Sequence, residues 1–216
     1  MDEKLMRVYN NILNGENEEI GSSVLGALEG KLQANQILFE AMVPAMDEVG
    51  RLYEQGQYFI PEMLVAAQTM RVGLIELQPY LIEKGVESLG KIAIGTVQGD
   101  MHDIGKNLVI MMLEGAGFQI QDLGVDVAPG KFIEAIQSGA QIIGLSALLT
   151  TTMPLMKTTI DAIKDAGLRD QVKIIIGGAA VSKEFADQIG ADGFAPNASS
   201  AVTLARNVIG EKEENV

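Results

Sequence analysis

The 216-residue chain has no cysteine, which removes disulfides, thiolate metal sites and iron–sulfur clusters together. It has a single histidine, His102, so a metal must be held by that imidazole or by carboxylates, or arrive inside a cofactor. Basic residues are also scarce: 16 Lys and Arg stand against 29 Asp and Glu, a formal charge of −13. That balance argues against nucleic acid or an anionic membrane as the main partner. No apolar run approaches the roughly 20 residues that cross a bilayer, and Met1-Asp2-Glu3-Lys4 opens nothing like a secretory signal. The expected location is the cytoplasm. What is present, 47% hydrophobic and 21% charged residues, is ordinary for a globular protein with a sizeable core.

Residues 1 to about 88 read as helices. Leu5, Val8, Tyr9, Ile12 and Leu13 recur at helical spacing before Asn14-Gly15. A second helix is predicted over Glu18 to Leu32, weakened by Gly21, Gly26 and Gly30. A third spans about Gln36 to Tyr53, with Pro44 either kinking or dividing it. The fourth follows Gly56-Gln57-Tyr58-Phe59, with Pro61 in its first turn and Met63, Leu64, Ala67, Met70, Leu74 and Leu77 along one face. Four helices with short connections predict an antiparallel bundle. Lys84 to Gly90 breaks the pattern, which places a domain boundary between residues 1–88 and 89–216.

Beyond Gly90 the period changes. Lys91 to Val97, Phe118 to Leu123, Gln141 to Ala147, Val172 to Ile176 and Gly193 to Ala195 are short apolar runs. Amphipathic segments separate or follow them: Ile104 to Gly115, Pro129 to Ser138, Met153 to Ala166, Ser182 to Ile189 and Ala198 to Ile209. This alternation predicts an α/β domain with a doubly wound, five-stranded parallel sheet in the order 2-1-3-4-5. The loops leaving the first and third strands should then face each other across the switch point, where such sheets bind ligands.

The first of these loops is Gly99-Asp100-Met101-His102-Asp103-Ile104-Gly105. An imidazole here can ligate a metal through one nitrogen while the other donates to a carboxylate partner. The plainer alternative makes Asp100 or Asp103 the cap of the following helix and His102 a polar loop residue. Ser146-Ala147-Leu148-Leu149-Thr150-Thr151-Thr152 closes the third strand with four hydroxyls, and Gly177-Gly178 closes the fourth. Hydroxyls there can cap a helix and paired glycines can form a plain turn, but the glycines also let a large flat ligand approach the backbone.

Taken together, D-x-H-x-x-G, S-x-L and G-G resemble the cobalamin-binding domain of methionine synthase, of the B12-dependent mutases, and of the corrinoid proteins of methanol, methylamine and methoxyarene methyltransfer systems. The resemblance runs from about Lys91 to the C terminus. Ahead of it, Pro44 to Gly50 and Tyr58 to Leu64 look like the helical cap that precedes this domain in methionine synthase and the stand-alone corrinoid proteins.

The resemblance implies that His102 is the lower cobalt ligand, displacing the cofactor's dimethylbenzimidazole, whose nucleotide tail enters the sheet crevice. Asp100 would hold the far side of the imidazole, and Thr152, where methionine synthase has a serine, would extend the pair. Met101, Asp103 and Ile104 belong to the same cofactor-binding loop. Gly105 would leave room for the tail, Ser146, Leu148 and Thr150 would line its pocket, and Gly177, Gly178, Ala195 and Pro196 would pass close to it. Asn197 departs from the aspartate often found there. The bundle would cover the methyl-bearing face through apolar residues around Tyr58 to Leu64. The eleven methionines read as adaptable core filling.

The implied function is that of a corrinoid methyl carrier, more a protein substrate than an enzyme. Its implied partners are a substrate-specific methyltransferase, a second methyl-accepting methyltransferase and a reductive activase. The methyl donor, final acceptor and oligomeric state are not legible. A mutase subunit fits less well with a helical cap, and a cobalamin sensor would carry a basic DNA-binding region that the acidic N terminus lacks. A nucleotide-binding domain would need G-x-G-x-x-G, which the spacing between Gly95 and Gly105 never forms.

Overall fold

The structure, a computed structural model, describes residues 2–83 and 88–210. Helix α1 (Glu3–Asn14) starts where the Asp2 carboxylate accepts the Lys4 N–H and stops at Gly15, in the left-handed conformation with φ 72°. Helix α2 (Ile20–Glu29) is shorter than its predicted range, because the chain leaves the helix at Gly30 and Lys31 adopts φ 68°.

The third predicted helix is one rod in three parts: α3 (Ala34–Ile37), a π-helical turn over Leu38–Met42, and α4 (Val43–Glu54). Pro44 lacks an N–H and its ring crowds the carbonyl four residues back. The π turn, in which the Val43 N–H reaches the Leu38 carbonyl, takes up an extra residue just ahead of it. Pro44 thus falls in the first turn of α4, where a missing donor costs little. Helix α5 (Ile60–Glu83) opens with the Glu62 carboxylate on the Phe59 N–H and continues through Pro79.

Helix α1 packs against α2, α4 and α5, giving the expected four-rod bundle. Its core includes Ile12, Ile20, Ile37, Leu77 and four methionines, Met42, Met46, Met63 and Met70. Each such side chain contributes roughly 1.5–3 kcal/mol on burial, which outweighs the roughly 1 kcal/mol that a glycine costs a helix interior in α2. The predicted break at Lys84 to Gly90 falls partly on residues 84–87, outside the described residues.

The second compact unit is built on β1 (Lys91–Val97), β2 (Gln119–Val127), β3 (Ile142–Ser146), β4 (Lys173–Gly177) and β5 (Gly193–Ala195). All pairs are parallel and the order is β2-β1-β3-β4-β5, as expected. Helices α6 (Ile104–Gly115), α7 (Pro129–Gln137), α8 (Pro154–Asp165), α9 (Lys183–Ile189) and α10 (Ala198–Gly210) alternate with the strands. Phe132, Ile143, Leu145, Ile163, Ile174 and Ile176 form part of one core. Such continuous apolar strands are what a sheet covered on both faces requires.

Strand β2 departs most from its predicted range, ending at Val127 rather than Leu123. Gly124, just past that range, sits inside a bulge. The register Ile94–Asp122, Gly95–Gly124 and Val97–Val127 leaves two extra residues on β2. At the other strands the ends are level, with Thr96 opposite Ser146 and Ser146 opposite Gly177. The loops after β1, β3 and β4 therefore leave from one edge of the sheet. The chain divides between Ser88 and Leu89, with Glu114–Gly117 grouped with the helical unit. No described helix is long and apolar enough to cross a membrane.

Candidate functional site

Strand β1 ends at Val97, and the Asp100 N–H turns back onto the Val97 carbonyl at 3.1 Å. This drives the Asp100 side chain inward, where the residue is 0% exposed. Its carboxylate does not cap α6, so of the two candidate caps only Asp103, which directly precedes the helix, stands at its N-terminus. Oδ1 accepts the His102 N–H at 3.1 Å and faces His102 Nδ1 at 2.7 Å. Oδ2 accepts from the Leu148 N–H at 2.9 Å, the Leu149 N–H at 3.3 Å and the Thr152 hydroxyl at 2.6 Å. The loops after β1 and β3 thus meet on one carboxylate.

Burial by itself would raise the Asp100 pKa, but the donors from Thr152, His102 and Leu148 outweigh it and hold the group well below the usual carboxylate range. An ionised carboxylate only accepts, so His102 Nδ1 must carry the proton of the 2.7 Å contact. In the neutral ring this leaves the lone pair on Nε2. The His102 side chain is 49% exposed while its partner is fully covered, so the imidazole is fixed at one end and accessible at the other. Thr96, buried on β1, donates its hydroxyl to the His102 carbonyl at 2.9 Å and fixes the backbone as well. Nothing in the sequence pattern marked Thr96, because an interior strand position reads simply as core.

The remaining predicted residues distribute along the same sheet edge. Met101 is 67% and Ile104 82% exposed, and Leu148 and Leu149 are also exposed. Asp103 ends the loop on the surface, its carbonyl accepting the Asn107 N–H and its carboxylate the Asn107 amide. A Cβ at Gly105 would meet nothing within 4 Å. Ser146 is half-buried at the end of β3, and Thr150 is exposed beyond it. Gly177 passes the Ala195 carbonyl so closely that a Cβ would sit 3.0 Å from it. Gly178, at φ 131°, would drive a Cβ to 1.9 Å from the Ala147 carbonyl oxygen. Ala195 is buried, Pro196 is exposed, and Asn197 accepts the Ser200 N–H at the start of α10.

In the helical unit, Phe59, Ile60 and Leu64 are exposed, whereas Met63 belongs to the core and the Tyr58 hydroxyl donates to the Leu13 carbonyl. Among the described residues no group of three or more His, Cys, Asp or Glu could hold a metal ion. A lone, well-oriented imidazole suits a metal that brings its other ligands with it.

Two family models match the chain, each described as a B12 binding domain, over residues 90–203 and 5–78. The chain is 43% identical over 192 residues to dimethylamine corrinoid protein 1 of Methanosarcina acetivorans, covering 87% of this chain and 90% of the relative. It is 40% identical over 204 residues to a corrinoid protein of Desulfitobacterium hafniense, covering 93% and 94%. Among solved structures, the methanol:cobalamin methyltransferase complex of Methanosarcina barkeri matches with TM-score 0.85 and 28% identity, over 97% of this chain and 80% of that one. A cobalamin-binding protein of Desulfitobacterium hafniense matches with TM-score 0.80 and 31% identity, over 96% and 98%. With both stretches matched and relatives similar over most of its length, the chain belongs to the B12-binding family, among the corrinoid proteins of methyltransferase systems.

Proposed function

We propose that the protein is a methyl carrier that holds its corrinoid through His102 Nε2, with the cofactor's own dimethylbenzimidazole off the metal. The observation that carries this reading is the run Thr152–Asp100–His102, buried at the hydroxyl end and half exposed at the imidazole end. The donor set fits such a cofactor: one neutral nitrogen is offered, and the buried carboxylate behind it has all its acceptor positions taken by protein donors. When bound, the corrinoid supplies a cobalt centre that accepts and yields a methyl group.

Asp100 keeps the proton on Nδ1, so Nε2 stays available and the ring keeps one orientation. Met101, Ile104, Leu148 and Leu149 offer apolar surface to a large flat ring, and covering a side chain as exposed as Ile104 adds up to roughly 2 kcal/mol. Gly105, Ser146, Leu148, Thr150, Gly177, Gly178, Ala195 and Pro196 form the proposed lining for the nucleotide tail. The open space at Gly105 supports that assignment. Residues 89–216 are the proposed cofactor domain and residues 1–88 a separate helical domain.

The names of the relatives, which join corrinoid proteins to dimethylamine and methanol chemistry, support methyltransferases as partners. In this proposal one substrate-specific methyltransferase delivers the methyl group, a second removes it, and a reductive activase restores the reduced cofactor.

The test is reconstitution with hydroxocobalamin, reduction to the cobalt(II) state, and electron paramagnetic resonance of protein labelled with ¹⁵N-histidine. Nitrogen hyperfine splitting that changes with the label, and that is lost in His102→Ala, is the expected result. Splitting insensitive to the label would mean that the cofactor keeps its own base, and the proposal would fail.

A further inference from the structure

Strand β2 lies at the edge of the sheet, yet its bulges point two aspartates at the ends of the histidine loop. Each extra residue on β2 is accompanied by a left-handed residue, Gly124 at φ 86° and Asp126 at φ 52°. Bulges re-aim side chains, and they are frequent beside functional sites. Asp122 accepts both the Gly124 N–H at 2.9 Å and the ammonium of Lys106 at 2.7 Å. Lys106 is a buried lysine in the first turn of α6, directly after Gly105. Asp126 accepts the Gly99 N–H at 2.7 Å through its carboxylate, while its own N–H donates to the Asp100 carbonyl at 3.0 Å. The loop is therefore tied to β2 at its beginning and at its end.

We infer that Asp126 is a positioning residue for His102. The two bonds from Asp126 bracket the peptide that joins Gly99 to Asp100, and so fix where the Asp100 carboxylate lies. Asp126 itself is exposed and fills no part of the core. Its positive φ is one that Asp and Asn adopt several-fold more readily than other residues with a Cβ. A residue held in a sparsely populated conformation needs its surroundings to over-determine it, and here those surroundings are the loop that orients the imidazole. The link to cobalamin rests on the function proposed above; the link to the imidazole does not.

Because His102 is the sole histidine, the ring-nitrogen spectrum of ¹⁵N-labelled cofactor-free protein at one fixed pH reports its tautomer without assignment. The wild type should show the Nδ1–H form. Asp126→Gly tolerates the backbone conformation but removes the carboxylate, and should move the spectrum towards a mixture of tautomers. Asp126→Asn keeps both the conformation and an acceptor for Gly99, and should restore the wild-type spectrum. In the same series, hydroxocobalamin affinity should fall about 10-fold in Asp126→Gly, the lower end for loss of an outer-shell partner, and recover in Asp126→Asn. A wild-type spectrum in Asp126→Gly, or an Asn variant no better than Gly, overturns the inference. Normal tautomer behaviour with no histidine on the cobalt would instead overturn the proposed function and leave the positioning role standing.

Discussion

Replacing Thr152 by Val removes one of five donors to a fully covered carboxylate while nearly keeping the side chain's volume. A hydrogen bond to a charged group contributes about 1.5–3 kcal/mol, and with four donors remaining the loss should be about 1.5–2 kcal/mol. The folded-state pKa of Asp100 is depressed, so its stabilising contribution is fully present above the unfolded-state value of about 3.9 and is lost as pH falls through the folded value. Removing the Thr152 donor raises the folded value back towards the ordinary carboxylate range. The deficit should therefore persist from pH 8 to pH 4 and close only below that, while the variant unfolds in acid at a higher pH than the wild type.

All four tyrosines, Tyr9, Tyr53, Tyr58 and Tyr80, lie in the helical unit and there is no tryptophan. Tyrosine fluorescence in a urea titration thus serves as the internal control. Amide hydrogen exchange at β1 and β3 reads the unit that contains Asp100. Thr152→Ser, which keeps the donor and loses one methyl worth about 0.8 kcal/mol, should retain the wild-type acid profile. A Val variant within about 0.5 kcal/mol of wild type, below the range for a charged hydrogen bond, or a Ser variant as damaging as Val would refute the account.

Other substitutions separate folding from cofactor uptake. Gly178→Ala should destabilise the sheet unit by more than about 2 kcal/mol, measured by the same exchange experiment, since its Cβ would collide with the Ala147 carbonyl at 1.9 Å. Gly105→Leu faces open space and should fold as the wild type does, gaining up to about 1 kcal/mol of helix propensity. Equilibrium dialysis should nonetheless show that it no longer takes up hydroxocobalamin. Uptake equal to wild type would remove Gly105 from the proposed tail crevice. His102→Ala should still fold, as judged by circular dichroism, because the imidazole is half exposed.

The sequence by itself determined the strand order, the helix–strand alternation and the place of the histidine loop. Apolar periodicity and glycine placement are local properties, and a parallel sheet with short crossovers leaves few topologies open. It also located the imidazole and its carboxylate, two positions apart on one loop. What the tertiary structure decided lies where distant segments meet. The family resemblance pointed to Thr152, but that its hydroxyl meets Asp100 Oδ2 across 52 positions, with the Leu148 and Leu149 amides beside it, is fixed only by the fold. Thr96 reads as strand core until its hydroxyl is seen on the His102 carbonyl. Asp126 carries no periodic signal, because its role depends on a bulge that forms only when β2 pairs with β1. The π turn before Pro44 is similar: proline announces a disturbance, but that the rod absorbs it in a π turn over Leu38–Met42 is seen only in the folded chain. Local chemistry sets which element forms. Which lone pair meets which donor is set by register and crossover, and these exist only in the folded chain.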